Sequence, residues 1–278
     1  VTALGTPIKG PSALGSDPRR LWHLARTMAV SDFKLRFFGS ALGYLWQLVR
    51  PLLLFGVLYV VFTQVIRLGG DVELYPVALL LGVVLYTFFA EATGGALGSL
   101  VERESLIRKV EFPRLAVPLA AVLTALMNVG LNLIAVLVFL LAAGGSVRLS
   151  WLELPLLVLA LAVFTAGLGM LLSALFVRYR DVKPIWDVAL QIVFYGSPIF
   201  YPIDVVEERS ELAAQLMMLN PFAAIIQQAR HAFIAPSHPS AYEVAGPWLI
   251  GTFVIFVGVV ALGYRVFAKR APTIAEQL

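Results

Sequence analysis

The chain has 278 residues, 60% of them hydrophobic and 14% charged, with a mean hydropathy of +0.87 and a formal net charge of +4. A soluble domain of this size carries about 25% charged residues to cover its surface, so the composition excludes an ordinary soluble enzyme and points to a chain solvated by lipid. There is no cysteine, and the three histidines (His23, His231, His238) stand far apart; disulfide frameworks and thiolate chemistry are excluded, and a histidine-based metal site has no basis.

In chain order, residues 1–47 read as a cytoplasmic amino terminus. Arg19, Arg20, Arg26, Lys34 and Arg36 interrupt every apolar stretch there, which leaves no signal-peptide core. Residues 19–38 alternate cationic and apolar positions at helical spacing. Trp22, Ala25, Ala29, Phe33 and Phe37 fall on one stripe, with Arg20, His23, Thr27, Ser31 and Lys34 opposite, the pattern of an amphipathic helix lying in the membrane interface.

A hydrocarbon core of about 30 Å needs roughly twenty apolar residues of helix. Residues 48–66, 74–100, 115–143, 154–177 and 244–267 meet that length or come close to it. A sixth segment, 185–200, is shorter and ends in Gly196-Ser-Pro-Ile-Phe-Tyr-Pro202. Backbone that leaves a helix at membrane depth has to be buried in protein or line a watery cavity, so this span does not simply cross and exit. Between the fifth and sixth spans, residues 197–235 read as short helices re-entering the outer leaflet. One of them opens at Asn220-Pro221, with Asn as cap and Pro at the first position. The remainder, 269–278, reads as a cytoplasmic tail.

Six spans with an internal amino terminus put seventeen of the twenty-one Lys and Arg residues on the cytoplasmic side, leaving Arg67, Arg148, Arg209 and Arg230 outside. That asymmetry is the positive-inside rule, and it sets both termini in the cytoplasm. Gly94, Gly95 and Gly98 read as small residues that let helices approach closely. They have no lysine for phosphate, and no Gly-x4-Gly-Lys-Ser/Thr loop exists, so ATP, if used, is hydrolysed on another chain. Glu91 and Asp187 lie inside spans and need partners, either inner-leaflet Arg or Lys or, alternatively, a proton relay. Asn128 and Asn132, one turn apart, read as hydrogen-bonding to neighbouring helices.

Four stretches stand in register: Asp32-Phe-Lys-Leu-Arg36 followed by Ser40-Ala-Leu-Gly-Tyr-Leu-Trp46 and Pro51; Ser105-Leu-Ile-Arg-Lys-Val-Glu-Phe-Pro-Arg114 leading to Pro118; Arg178-Tyr-Arg-Asp-Val182 with Ser197-Pro-Ile-Phe-Tyr-Pro202; and Leu219-Asn-Pro221 with Arg230 downstream. In this order and spacing they resemble the ABC-2 permease family that exports lipid-linked polysaccharides in O-antigen, teichoic-acid, capsule and cell-wall galactan pathways. The resemblance runs from about Trp22 to Phe267. Phe37 stands where the family usually has tyrosine, and Glu104 where it often has asparagine.

The resemblance implies an all-α, non-enzymatic membrane subunit with six spans (domain 48–268), working as a homodimer with two separate ABC ATPase chains. Those chains would hold the ATP and magnesium; no cofactor, metal or nucleic acid is implied for this one. It implies a bacterial plasma-membrane location and a polyprenyl-pyrophosphate-linked glycan as substrate. Residues 101–112 correspond to a coupling helix docking into the ATPase, with Glu102, Leu106, Ile107, Arg108, Lys109, Phe112 and Pro113 at the contact. An apolar knob rimmed by charge suits such docking. Trp22, Arg26, Lys34 and Arg36 are candidates to meet the lipid pyrophosphate, although anchoring to anionic lipid alone accounts for the same charges. Tyr59, Phe62, Tyr86, Phe88, Phe89, Phe194 and Tyr195 are candidate channel aromatics on which sugars stack. Pro198, Phe200, Tyr201, Asn220, Pro221 and Arg230 are candidates for an outer gate. An ABC-2 exporter of a small molecule or lipid, and a proton-coupled transporter, remain as alternatives.

Overall fold

The computed structural model describes residues 12–15, 17–36, 43, 45–66 and 72–278. Lys9, Phe37, Arg67 and, Gly43 apart, the motif residues 40–44 lie outside the described residues.

Helix α1 (Pro18–Leu35) starts where Asp17 accepts the Arg19 N–H at 2.8 Å and Pro18 sets the first turn, a regular N-cap. Helix α2 (Leu45–Tyr59) carries Pro51 inside it and continues as a π-helical stretch, Val60–Val65. Helix α3 (Tyr75–Glu102) is followed after one residue by the short α4 (Glu104–Lys109), then by α5 (Ala116–Ala142). A 3-10 turn, Leu149–Leu152, leads into α6 (Glu153–Phe176), and α7 is Val182–Tyr195. Four short helices follow: α8 (Asp204–Glu207), α9 (Glu211–Met218), α10 (Pro221–Ala229, prolonged by a π turn, Arg230–Ile234) and α11 (Ala241–Ala245). Helix α12 (Leu249–Arg270) and α13 (Ile274–Gln277) close the chain.

The fold is all-helical among the described residues. Among the described residues five helical runs are long and apolar enough to cross a membrane: Leu45–Val65, Tyr75–Glu102, Ala116–Ala142, Leu149–Phe176 and Ala241–Gln277. They coincide with five of the six expected spans. The remaining segment forms α7, whose fourteen residues rise only about 21 Å.

Helix α3 is the centre. It packs against α5 and α6, and α12 lies on the far side of α6; Phe88, Phe89, Leu81 and Leu85 of α3 are fully buried. The tightest helix crossing is α6 on α12. A Cβ at Gly263 would stand 2.0 Å from the Gly167 carbonyl oxygen, and one at Gly167 would meet Val260 Cα at 2.8 Å, so only glycines permit this approach. Gly94 and Gly95, expected to play that part, are exposed; a Cβ at Gly94 would meet nothing within 4 Å and one at Gly95 only Ala121. Gly95 instead lines a cavity of about 390 Å³ between α1, α3 and α5.

The expected tail is folded structure. Helix α12 runs on to Arg270, and α13 turns back so that Ala271 and Ile274 are buried in one cluster with Ile107 of α4, Leu21 and Ala25 of α1 and Phe267. Along α1 the buried face is Leu21, Ala25 and Ala29 against α5, while Trp22 is 54% exposed. Alanines rather than tryptophan face inward because the two helices lie close together.

Candidate functional site

At one end of the bundle the chain breaks after α7. Pro198 has no N–H to offer and biases Ser197 away from helix, so carbonyls of residues 197–201 need partners from elsewhere. Arg230, 3% exposed, supplies them: its Nη2 donates to the Ile199 carbonyl at 2.6 Å and its Nη1 to the Tyr201 carbonyl at 3.4 Å. The Tyr75 hydroxyl donates to the Phe200 carbonyl between them at 2.5 Å. Asn220 caps α10 by accepting the Phe222 N–H at 3.1 Å, and its Nδ2 donates to Ser197 Oγ at 3.2 Å. A Cβ on Gly82 would lie 2.9 Å from the Ile199 oxygen, so a glycine is what lets this backbone lie directly on α3.

The residues expected at an outer gate therefore gather in one place: Pro198, Phe200 and Tyr201 on the broken segment, Asn220 and Pro221 at the start of α10, Arg230 at its end. Tyr75 and Gly82, which complete the arrangement, carry no sequence signal that separates them from other span residues. The π turn that bears Arg230 leaves carbonyls over, and the loop before α6 takes them up. Ser150 Oγ donates to Ala232 O at 2.7 Å and Arg148 Nη2 to Ile234 O at 2.5 Å.

The loop after α10 is tied to the chain before α3. Ser237 Oγ donates to Glu73 Oε2 at 2.7 Å, and His238 Nε2 bonds the Glu73 carbonyl at 3.1 Å. Burial, followed by the charge of Arg230, holds the His238 imidazole down to about 4 from its ordinary 6.5. The neutral ring belongs to the folded state, so its contribution is whole above pH 6.5 and drains away as pH falls through 6.5 towards 4. The total is about 3 kcal/mol. Thermal unfolding of the detergent-solubilised protein between pH 7 and 4 should show that slope, and His238→Gln should flatten it. Equal slopes for the two proteins would refute the assignment.

Aromatic rings fan inward from the broken segment. Phe200 meets Phe62 at 4.7 Å, Phe194 at 5.6 Å and Tyr195 at 5.9 Å between centroids. Tyr86 meets Phe194 at 4.8 Å, and Tyr59 stacks on Phe55 at 5.7 Å. Of the expected channel aromatics, Tyr195 is exposed, Tyr59, Phe62, Tyr86 and Phe194 are half-buried, and Phe88 and Phe89 are core residues at 2% exposure. Within the protomer those two face packed protein; Phe89 lies 4.8 Å from Phe222.

At the other end, α4 presents two different faces. Ile107 (3% exposed), Phe112 (8%) and the adjoining Pro113 turn into the cluster with α1, α12 and α13. Leu106 (39%) and Val110 (50%) stand out, with Glu102, Arg108 and Lys109 around them. The apolar knob is thus Leu106 with Val110, and Ile107, Phe112 and Pro113 are its base. Between α1 and this knob lies a groove of about 410 Å³ lined by Arg20, His23, Met28 and Phe112 among others.

Next to it, Arg103 pairs with Asp32 of α1, and Arg36 pairs with Glu91 of α3. Glu91 also accepts Asn128 Nδ2 of α5 at 2.9 Å. Burial and the neighbouring Arg50 lower the Arg36 pKa, and Asp32 opposes them. Glu91 so finds an arginine, whereas Asp187 is exposed on α7 and makes no ion pair among the described residues. Arg36 is committed to Glu91, while Trp22, Arg26 and Lys34 remain on the open side of α1.

A membrane-embedded bundle with a charged-rimmed knob at one end and a pinned, broken segment at the other matches the family model described as "ABC-2 type transporter" over residues 23–234. The chain belongs to that family. ABC-2 transporter chains of this kind are permease subunits rather than enzymes, and work with a separate ABC ATPase. Relatives agree along nearly the whole length. The O-antigen export system permease protein RfbA of Klebsiella pneumoniae is 29% identical over 261 residues, covering 93% of this chain and 96% of its own. Its namesake in Myxococcus xanthus is 28% identical over 248 residues, 89% of this chain and 92% of that one. The polysialic acid transport protein KpsM of Escherichia coli is 21% identical over 204 residues, 72% and 77% of the two chains. Among ABC-2 permeases, then, the similar chains carry names of polysaccharide export and transport.

Proposed function

We propose that this chain is the membrane half of an ATP-driven exporter that moves a polyprenyl-pyrophosphate-linked polysaccharide from the cytoplasmic to the outer side of a bacterial plasma membrane. The observation that carries the reading is the end-to-end similarity to O-antigen export permeases. Two features of the fold support it. The exposed Leu106–Val110 knob suits docking of an ATPase, and the pinned backbone at 197–201 suits a closure that opens only when driven.

In this reading two copies of the chain work with two ATPase chains. The apolar sides of α2 with its π-helical continuation and of α7, exposed at Leu53, Val57, Val60, Ile185, Val188 and Ile192, leave room for a second copy beside lipid. Helix α7, about 21 Å long, and the bent residues 196–201 after it form the remaining, shortest crossing. Irregular backbone is tolerated there because Arg230, Tyr75 and α3 bury it. The short helices α8–α10 re-enter the outer leaflet, the basic loops and both termini lie in the cytoplasm, and the aromatics Tyr59, Phe62, Tyr86, Phe194 and Tyr195 offer sliding faces to sugar. ATP binding draws the ATPases together, α4 carries the movement inward, and the path changes access.

Depleting the protein in its host and extracting polyprenyl-linked glycans tests this directly. One lipid-linked polymer should accumulate on the cytoplasmic side, and its sugar analysis would name the substrate. Unchanged surface polysaccharide with no accumulation would remove the reading and bring the small-molecule exporter forward.

A further inference from the structure

The two ion pairs at the inner end join elements that a docking knob alone would leave separate. Arg103 is the one residue between α3 and α4. Its backbone is non-helical (φ −109°, ψ 24°), and its carbonyl accepts the Leu106 and Ile107 N–H groups, each at 3.0 Å. The residue that starts the coupling helix thus also carries the guanidinium that holds Asp32 in the last turn of α1. One turn further on, Arg36 closes α1 through its N–H to the Asp32 carbonyl at 3.0 Å and sends its guanidinium to Glu91. Glu91 lies about three turns of α3, about 18 Å, before Arg103, so the end of α1 grips α3 and the link to α4 at two separated points. On its other side α1 has no slack: Ala25 and Ala29 are fully buried against α5, and Thr124 Oγ1 donates to the Ala29 carbonyl at 3.3 Å.

We infer that Asp32 and Arg36 are positioning residues of the transport cycle, fastening the amino-terminal helix to the coupling helix and to mid-α3 so that the three move as one lever. The inference rests on the exporter reading above. A displacement imposed on α4 by the ATPase then reaches Glu91 through α1 as well as along α3, and from Glu91 it reaches α5 through Asn128. An anchored but unfastened α1 would stay with the membrane surface while α4 moved, and the stroke would be spent in the single-residue link at Arg103. Electrostatic joints suit this use. Each pair lies between opposite charges on different elements, so reversing both partners preserves the joint while reversing one turns attraction into repulsion.

The test uses the permease with its ATPase, reconstituted in liposomes, as Asp32→Arg, Arg103→Asp and the double reversal. Each single variant should still recover the ATPase and hydrolyse ATP while export falls about tenfold, a typical coupling free energy. The double variant should regain about half of the loss or more, as a direct pair requires. Single variants exporting like the wild type, or a double reversal that assembles and hydrolyses ATP yet stays as impaired as the singles, would overturn the inference alone. A wild-type chain that recovers no ATPase would overturn the exporter reading and this inference with it. Should the reversals fail to fold, the cysteine-free chain allows spin labels at Ser31→Cys on α1 and Ser105→Cys on α4, both exposed. Their separation should stay constant between nucleotide-free and ATP-bound complexes; a change would show that α1 and α4 move independently.

Discussion

An aspartate at Leu106 should leave the permease folded in the membrane but unable to hold its ATPase, whereas the same change at Ile107 should take away the fold. The two residues are adjacent and chemically alike, and the difference is which way each points. Leu106 is 39% exposed with Val110 at 50% beside it, while Ile107 is 3% exposed among Leu21, Ala25, Phe112 and Ile274. Truncating a buried isoleucine costs about 2–5 kcal/mol from packing alone, and placing a carboxylate there adds its desolvation. An exposed leucine contributes little to the isolated protomer but, at the centre of a docking patch, its loss is worth about 2 kcal/mol or more, a factor of about 30 in affinity. Elution profile and melting temperature report the fold; ATPase co-elution reports docking. Leu106→Asp should change only the second and Ile107→Asp the first. If both variants elute as folded protein and both lose the ATPase, the division of α4 into knob and base is wrong.

That division marks the boundary of what periodicity conveys. Helices of twenty or more apolar residues announce themselves by length, and five of them stand where hydropathy puts them. A helix of six residues such as α4 is too short for its hydrophobic pattern to fix a phase, so Leu106, Ile107, Val110 and Phe112 look equivalent until the neighbours are placed. Glycines raise the same difficulty. Gly94 and Gly95 sit in open surroundings, and Gly167 and Gly263 make the close crossing, yet all four are glycines in apolar helices, and only the partner helix tells them apart. Trp22 suits a membrane-facing stripe by composition, but the buried side of α1 went to alanines because α5 lies so near. Polar residues were more readable. A glutamate in a span needs a cation, and Glu91 has Arg36; Arg230, a gate candidate by position, is buried and finds its acceptors on the broken segment. The acceptors themselves, backbone carbonyls of residues 199 and 201, are invisible in a sequence because every residue has one. Tyr75 and Gly82, which complete that clamp, look like any other tyrosine and glycine of an apolar span.

The larger effect on the broken segment after α7 should come from Arg230. Replacing it with Met keeps much of the volume but leaves the Ile199 and Tyr201 carbonyls bare inside the protein, and each unpaired buried acceptor costs about 1–3 kcal/mol. Arg230→Met should therefore destabilise by about 3 kcal/mol, and the damage should be local. Hydrogen exchange at residues 199–201 should accelerate by about 100-fold, since opening of that segment sets the rate, while the α3 core at Leu81 and Leu85 stays protected. Arg230→Lys is the informative companion. An ammonium keeps the charge but lacks the forked geometry that reaches two carbonyls at once, so it should restore one bond and recover about half of the stability. By contrast Arg148→Met removes a bond to the single Ile234 carbonyl and should cost about 1 kcal/mol. One guanidinium spanning two carbonyls makes the hold on residues 199–201 cooperative, so in the proposed gate the segment should open as a unit. Slow exchange in Arg230→Met, equal to that of the unaltered protein, would show instead that Tyr75 and the close seat on Gly82 hold residues 197–201 without it, by packing on α3.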